Sequence, residues 1–261
     1  MITIFSIPKA FEGHIGIIQR NAIVSWTKLK RQVEIILLGN DSGVAEICKE
    51  FQLKHIPDVK VNEQGTPLCS DAFKKAQEVS EYSRVAFVNA DIILTESFVD
   101  SSLRCTLFEK FLMIGQRFDL DVTELIDFEN NNWEEILRDR VKQHGVLHKS
   151  TGVDYFSFKK PEWLDMPPFA VGRPSWDNWL VSKAVKRGHA VIDATKSAFV
   201  VHQNHEHVKG VTEWRNGREE WCGPESAENK KLADENGKTH SGFTTNATWI
   251  MDSKGRIECQ R

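Results

Sequence analysis

The stretch Val85–Thr95, VAFVNADIILT, decides how this chain is read. Its first residues, Val85–Val88, form an unbroken apolar run, the pattern of a strand buried on both faces. Asn89 and Asp91 interrupt the run before Ile92 and Ile93 resume it. An ionised carboxylate is too costly to leave dry and unpaired. Asp91 therefore has to meet water, a turn hydrogen bond or a bound cation, and the segment by itself leaves all three open.

Upstream, the same grammar repeats. Ile2–Ile7 is a short apolar strand ended by Pro8, and Val33–Leu38 is a second, closed by Gly39-Asn40-Asp41. Between them Ile15, Ile18, Ala22, Trp26 and Leu29 recur at helical spacing. Val44–Phe51 reads as a short helix. Ser70 is the expected N-cap of another, with Ala72, Phe73, Ala76 and Val79 on its apolar face. Continuous apolar strands separated by helices predict an α/β fold, a mostly parallel, twisted, Rossmann-like sheet flanked by helices.

Downstream the pattern is less regular. Phe111–Arg117 and Val153–Lys159 read as strands, Trp133–Lys142 as a helix, and Trp176–Arg187 as a helix stopped by Gly188. Ala190–His202 reads as strand. From about Gly210 the chain is polar, with one helix expected near Glu225–Asp234.

Composition narrows the classes. With 261 residues the chain can build a sizeable core without disulfides or a structural metal. Net charge is −3 and no basic block appears, which argues against nucleic acid as a partner. The cysteines (Cys48, Cys69, Cys105, Cys222, Cys259) are scattered, fit no zinc or redox spacing and suit a reducing cytoplasm. No run of eighteen apolar residues is present, so no transmembrane helix is expected. Eight Trp stand against two Tyr, and flat indole faces suit either a core or a sugar ring. The sequence leaves the oligomeric state open.

A second polar interruption answers the first. The apolar Ala198–Val201 runs into HQNHEH, so His202, His205 and His207 cluster at another strand end. Imidazole beside carboxylate is a ligand set for Mn2+ or Zn2+. The spacing of His202 and His205 is not the helical i, i+4 pair of a metalloprotease.

At this point a resemblance emerges. VAFVNADIIL looks like the Asp-containing metal motif of GT-A fold glycosyltransferases, the nucleotide-diphospho-sugar transferase superfamily, with Asn89 standing where the usual Asp-x-Asp has its first Asp. TIFSIPKAF (Thr3–Phe11) resembles the first strand and turn that receive the nucleotide base, and LLGND (Leu37–Asp41) resembles the end of the second strand. VVHQNHEH resembles the C-terminal His segment that completes the metal site in many members.

The resemblance implies a single GT-A-like domain. Its nucleotide-binding half would span 1–110, its acceptor-binding half 111–222 and a C-terminal extension 223–261. It implies sugar transfer from a nucleotide-diphosphate donor to a carbohydrate or glycan hydroxyl. Asp91, His202 and His205 would hold Mn2+ or Mg2+. Ser6, Ile7, Pro8, Lys9, Asp41, Thr66 (in NEQGTPL) and Asn89 would face the donor. In an inverting enzyme a carboxylate takes the acceptor proton. Asp177 in PSWDNWL is the expected base, although a first-turn Asp also serves simply to complement the helix dipole. Trp176 and Trp179 could stack on a sugar, and Arg117, Asp119 and Asp154 could line the acceptor cleft; a retaining enzyme would not need Asp177 as base. The alternatives are a non-catalytic sugar- or nucleotide-binding module and a sugar nucleotidyltransferase. Ser6–Gly16 lacks the Gly-rich phosphate loop of the latter.

Overall fold

The computed structural model describes residues 1–206, 212–215, 218–237 and 242–260; His207 and the stretch around Gly210 lie outside them. The first half runs β1 (Ile2–Ser6), α1 (Gly13–Thr27), β2 (Val33–Leu38), α2 (Val44–Glu50), β3 (Lys54–Ile56), α3 (Cys69–Val79), β4 (Arg84–Val88), β5 (Ile92–Leu94) and α4 (Glu96–Arg104). It continues with β6 (Phe111–Ile114), β7 (Phe118–Leu120), α5 (Trp133–His144), β8 (Val146–Leu147), β9 (Tyr155–Lys159) and α6 (Trp176–Lys186). The remainder is β10 (Ala190–Asp193), β11 (Val200–Gln203), β12 (Thr212–Arg215), β13 (Arg218–Trp221), α7 (Pro224–Glu235), β14 (Trp249–Met251) and β15 (Ile257–Cys259).

Among the described residues the largest sheet has the order β15-β14-β10-β6-β9-β4-β1-β2-β3. The expected mostly parallel α/β sheet is present: β1 pairs parallel with β2 and β4, β2 with β3, and β10 with β6 and β14. Its order 3-2-1-4 on one side is Rossmann-like. Only β9 and β15 run antiparallel to their neighbours. Because β6, β10 and β14 continue the sheet begun by β1, the irregular second half shares its core with the first.

Every residue of β1 and β4 is buried, and their side chains alternate between two apolar layers. Ile2, Ile4, Ala86 and Val88 pack with α1, α2 and α4 on one face. Phe5, Val85 and Phe87 pack with α3 and α6 on the other. A sheet covered on both faces needs strands apolar at every position, and this is why Val85–Val88 is unbroken. A smaller sheet, β5-β11-β7-β8, adjoins the first, with α5 packed on it through Leu137 and Val141.

Three local readings change. α3 starts at Cys69 with Leu68 at the N-cap, so Ser70 is not its cap; the Cys69 N–H instead donates to the Phe169 carbonyl at 2.9 Å. The strand read as Phe111–Arg117 ends at Ile114. A Cβ on Gly115 would lie 2.0 Å from the Tyr155 hydroxyl, and the Gln116 N–H turns to Thr195 Oγ1 at 2.8 Å. Ala190–His202 splits into β10 and β11, because Asp193 Oδ1 accepts from Thr195 N at 2.9 Å and Oγ1 at 2.5 Å and bends the chain into the second sheet. No helix among the described residues is long and apolar enough to cross a membrane.

Candidate metal centre and its surroundings

The carboxyl end of β4 is where the two sheets meet. The chain leaves the large sheet after Val88, turns through Asn89-Ala90-Asp91, and re-enters structure as β5. The turn is closed by the backbone, Ile92 N–H to the Asn89 carbonyl at 3.1 Å, so the Asp91 carboxylate is not what closes it. β5 pairs antiparallel with β11 in a register that sets Ile92 opposite His202. Asp91, His202 and His205 are thereby gathered, with one ligand atom from each lying within 4.8 Å of the others.

The protonation logic of this group fits a divalent cation. His205 Nδ1 faces the Glu206 carbonyl at 2.9 Å, and only a protonated nitrogen makes that contact favourable. His202 Nδ1 lies 3.2 Å from Asp119 Oδ1, an ion-pair contact without hydrogen-bond alignment, and a carboxylate oxygen at that distance still favours the proton on Nδ1 over a lone pair there. Each imidazole therefore presents Nε2 to one oxygen, Asp91 Oδ2, at 3.1 Å from His205 and 3.9 Å from His202. Two neutral imidazoles and a carboxylate would aim lone pairs at one another, an arrangement that needs positive charge between them. Two ligands bound at about 2.1 Å to one ion sit roughly 3–4 Å apart, which these separations match. Asp91 Oδ1 is in addition buried with no hydrogen-bond partner among the described residues.

Without an ion, protons supply that charge. Burial opposes ionisation of Asp91, but the His205 hydrogen bond and the charges of His202, His205 and Lys9 outweigh it and bring its pKa down to about 2. Burial opposes the His202 imidazolium, yet Asp119, Asp91 and Asp154 outweigh it and raise the His202 pKa. A bound cation replaces such protons.

A second network abuts the first. β7 runs parallel to β11 and sets Asp119 opposite His202. Asp119 Oδ2 accepts from His148 Nδ1 at 2.6 Å, and its Oδ1 meets Arg117 Nε at 3.2 Å. Arg117 Nη1 pairs with Asp154 Oδ2, while Asn89 Nδ2 donates to Asp154 Oδ1 at 2.7 Å. β9 is antiparallel to β4, with Tyr155 opposite Val88, so Asp154 is necessarily beside Asn89. Burial raises the Asp119 pKa, but the bonds from His148 and His202 and the Arg117 charge hold it well below the usual carboxylate range. The expected cleft residues Arg117, Asp119 and Asp154 thus adjoin Asn89 and, through His202, the candidate ligand group.

The other expected site residues are dispersed. Ser6 Oγ donates to the Val88 carbonyl at 2.6 Å and ties the end of β1 to β4. Ile7 is half-buried, Pro8 buried and Lys9 exposed, with its charge felt at Asp91. Asp41 is exposed just past β2. Thr66 belongs to a different cluster: burial raises the Glu225 pKa, and hydrogen bonds from Thr66, Asn62 and Arg173 outweigh it and lower it, joining this loop to α7. Asp177 stands in the first turn of α6 near Cys69; burial pushes that thiol's pKa well up and the Asp177 charge adds to the rise. Trp176 and Trp179 are core residues at 5% and 1% exposure. Trp176 packs edge-on against Phe73 and Phe87, and Trp179 packs on Phe169. Protein occupies their faces, so the expected sugar stacking on these rings is replaced by core packing.

Two residues escaped the sequence reading, His148 and Gln203. Gln203 is fully buried and its Nε2 donates to the carbonyls of Ile18 at 2.7 Å and Asp91 at 3.0 Å. Its Oε1 accepts from Asn21 Nδ2 at 3.0 Å. The amide thereby fastens the Asp91 backbone to α1. Gln203→Leu is expected to destabilise the protein by about 2–3 kcal/mol, since it orphans buried partners; urea denaturation measures this, and unchanged stability would contradict the assignment.

No protein-family model matches the chain, and no curated protein matches it. Solved structures do. The chain is similar to a protein of Desulfovibrio desulfuricans G20 described as a nucleotide-diphospho-sugar transferase (14% identity, 74% of this chain and 78% of that chain, TM-score 0.48). It is similar to glucosyl-3-phosphoglycerate synthase of Mycobacterium tuberculosis in complex with Mn2+, UDP and phosphoglyceric acid (17% identity, 79% and 72%, TM-score 0.48). It is also similar to a mannosyltransferase of Pyrobaculum calidifontis in complex with GDP-Man and Mn2+ (12% identity, 80% and 58%, TM-score 0.47). Among the solved structures to which the chain is similar are thus a nucleotide-diphospho-sugar transferase, a glucosyl-3-phosphoglycerate synthase and a mannosyltransferase.

Proposed function

We propose that this protein is a metal-assisted glycosyltransferase, moving a sugar from a nucleotide-diphosphate donor to an acceptor hydroxyl. The observation that carries the reading is the convergence of Asp91 with the Nε2 atoms of His202 and His205 at the carboxyl end of β4. In an open, mostly parallel sheet that edge, beside the β1–β4 switch point, is where ligands bind.

Asp91, His202 and His205 would hold the ion, Mn2+ in preference to Mg2+, which favours an all-oxygen shell. When bound, the ion supplies Lewis-acid neutralisation of the departing diphosphate. Lys9, whose charge already reaches Asp91, would add positive potential on the phosphate side. Ser6, Ile7 and Pro8 after β1 and Asp41 after β2 would border the base. Asn89, held by Asp154, would stand beside the ribose, and Arg117 with Asp154 would border the sugar and acceptor.

Calorimetry with UDP-glucose and GDP-mannose, with and without Mn2+, tests the reading. At least one is expected to bind, and about tenfold or more tightly with the ion, since a bridging ion adds a charge-assisted contact to the phosphates. If no nucleotide sugar bound under either condition, the reading would be wrong.

A further inference from the structure

We propose that His148, held by Asp119, is the general base that takes the proton of the acceptor hydroxyl; this rests on the transferase reading above. His148 is fixed on three sides. Its N–H donates to the Arg117 carbonyl at 2.9 Å, its own carbonyl accepts from Gln116 Nε2, and its Nδ1 lies 2.6 Å from Asp119 Oδ2. Gly152 flanks the ring edge: a Cβ there would lie 2.9 Å from His148 Cδ2 and Nε2 and 2.4 Å from Arg117 Nη1, so a side chain at 152 would cover the nitrogen that glycine leaves uncovered. An ionised Asp119 accepts, so the proton of neutral His148 sits on Nδ1 and Nε2 carries the lone pair. The side chain is 30% exposed, and among the described residues nothing else hydrogen-bonds the ring. The result is a half-buried carboxylate behind an imidazole whose second nitrogen carries a lone pair and no hydrogen bond among the described residues.

The neighbouring carboxylates are already engaged. Asp154 accepts from Asn89 and Arg117, Asp119 from Arg117 and His148, and Asp91 faces the two metal-ligand imidazoles. Asp119 also joins the two sites, one oxygen toward His202 and the other toward His148. The base is thereby set one carboxylate, Asp119, away from His202, one of the residues that would hold the ion. In the step itself the acceptor oxygen bonds to the anomeric carbon and its proton passes to His148 Nε2. The bond from that carbon to the diphosphate oxygen breaks, and its electron pair leaves with the diphosphate. Asp119 stabilises the imidazolium formed.

The test compares wild type with His148→Gln and Asp177→Asn, using UDP-glucose and GDP-mannose with Mn2+ and water as the acceptor. His148→Gln is expected to slow donor hydrolysis by about 100-fold or more, with Mn2+ and nucleotide affinities within about twofold of wild type by calorimetry. Azide, an acceptor with no proton to lose, is expected to form the glycosyl azide equally well with the variant and with wild type, showing an intact site. Nitrogen-15 NMR is expected to find the His148 proton on Nδ1, and to find it displaced in Asp119→Asn. Hydrolysis by His148→Gln at the wild-type rate, a proton resident on Nε2, or a defect confined to Asp177→Asn would overturn the assignment while leaving the transferase reading standing. Absence of both nucleotide-sugar binding and turnover in wild type would instead overturn that reading, and this assignment with it.

Discussion

Asp91→Ala is expected to lower the affinity of the protein for Mn2+ by about 100-fold or more, the largest effect of any single substitution on metal binding. Altering a group that only orients a ligand costs roughly 10–100-fold, and Asp91 is itself the one carboxylate of the set. With it gone, His202 and His205 have no oxygen between them, and two neutral imidazoles hold a hard ion poorly. The Asp91 main chain stays anchored by Gln203, whose N–H and side chain both donate to the Asp91 carbonyl, so the fold should survive. Titration of the variant followed by Mn2+ electron paramagnetic resonance measures the loss directly. Mn2+ affinity equal to wild type would show that the ion is held elsewhere.

Arg117→Met is expected to cost about 3 kcal/mol of stability, the largest effect expected on folding. Arg117 is the countercharge for two carboxylates at once, Asp119 through Nε and Asp154 through Nη1, with the arginine and Asp154 side chains only 11% and 12% exposed. Breaking a buried pair by removing one partner costs roughly 3–5 kcal/mol, because the remaining charge is left uncompensated. The Asp119 side chain is 21% exposed, which allows water to reduce the penalty toward the lower figure. Adding Asp154→Asn to Arg117→Met is expected to recover part of the loss, a coupling that a double-mutant cycle in urea reads out. Wild-type stability for Arg117→Met would refute the network as drawn.

The sheet was legible because its physics is local. A strand buried on both faces has to be mostly apolar, and Ile4–Phe5, Ile35–Leu38 and Val85–Val88 carry that pattern in consecutive residues. Asp91 and the His202–His205 pair were legible for the converse reason: charged and metal-ligating groups directly after such runs need a partner. Partners brought together by register were not. His148 follows an exposed two-residue strand, and nothing near it marks it as the mate of Asp119; only the pairing of β7 with β8 and β11 creates the contact. Gln203 sits between His202 and Asn204 as one more polar residue, yet β11 aims it into the core toward α1.

The tryptophans show the opposite failure. Trp176 and Trp179 flank Asp177, which invites a sugar-binding reading, but sequence proximity says nothing about which face of a helix is covered. α6 lies on the sheet, and its first turn drives Trp176 among Phe73, Phe87 and Phe156. The long strand expected at Ala190–His202 failed through side-chain chemistry: Asp193 bonds its own backbone two residues on and starts a turn that apolar periodicity does not register.

One cation shared by the β4–β5 turn and the end of β11 is the central expectation, and crystallography with Mn2+ at its absorption edge tests it most directly. The expected result is one anomalous peak about 2.1–2.2 Å from a carboxylate oxygen of Asp91 and from the Nε2 atoms of His202 and His205. A protein that bound Mn2+ tightly in solution while its anomalous peak lay away from these three residues would contradict it.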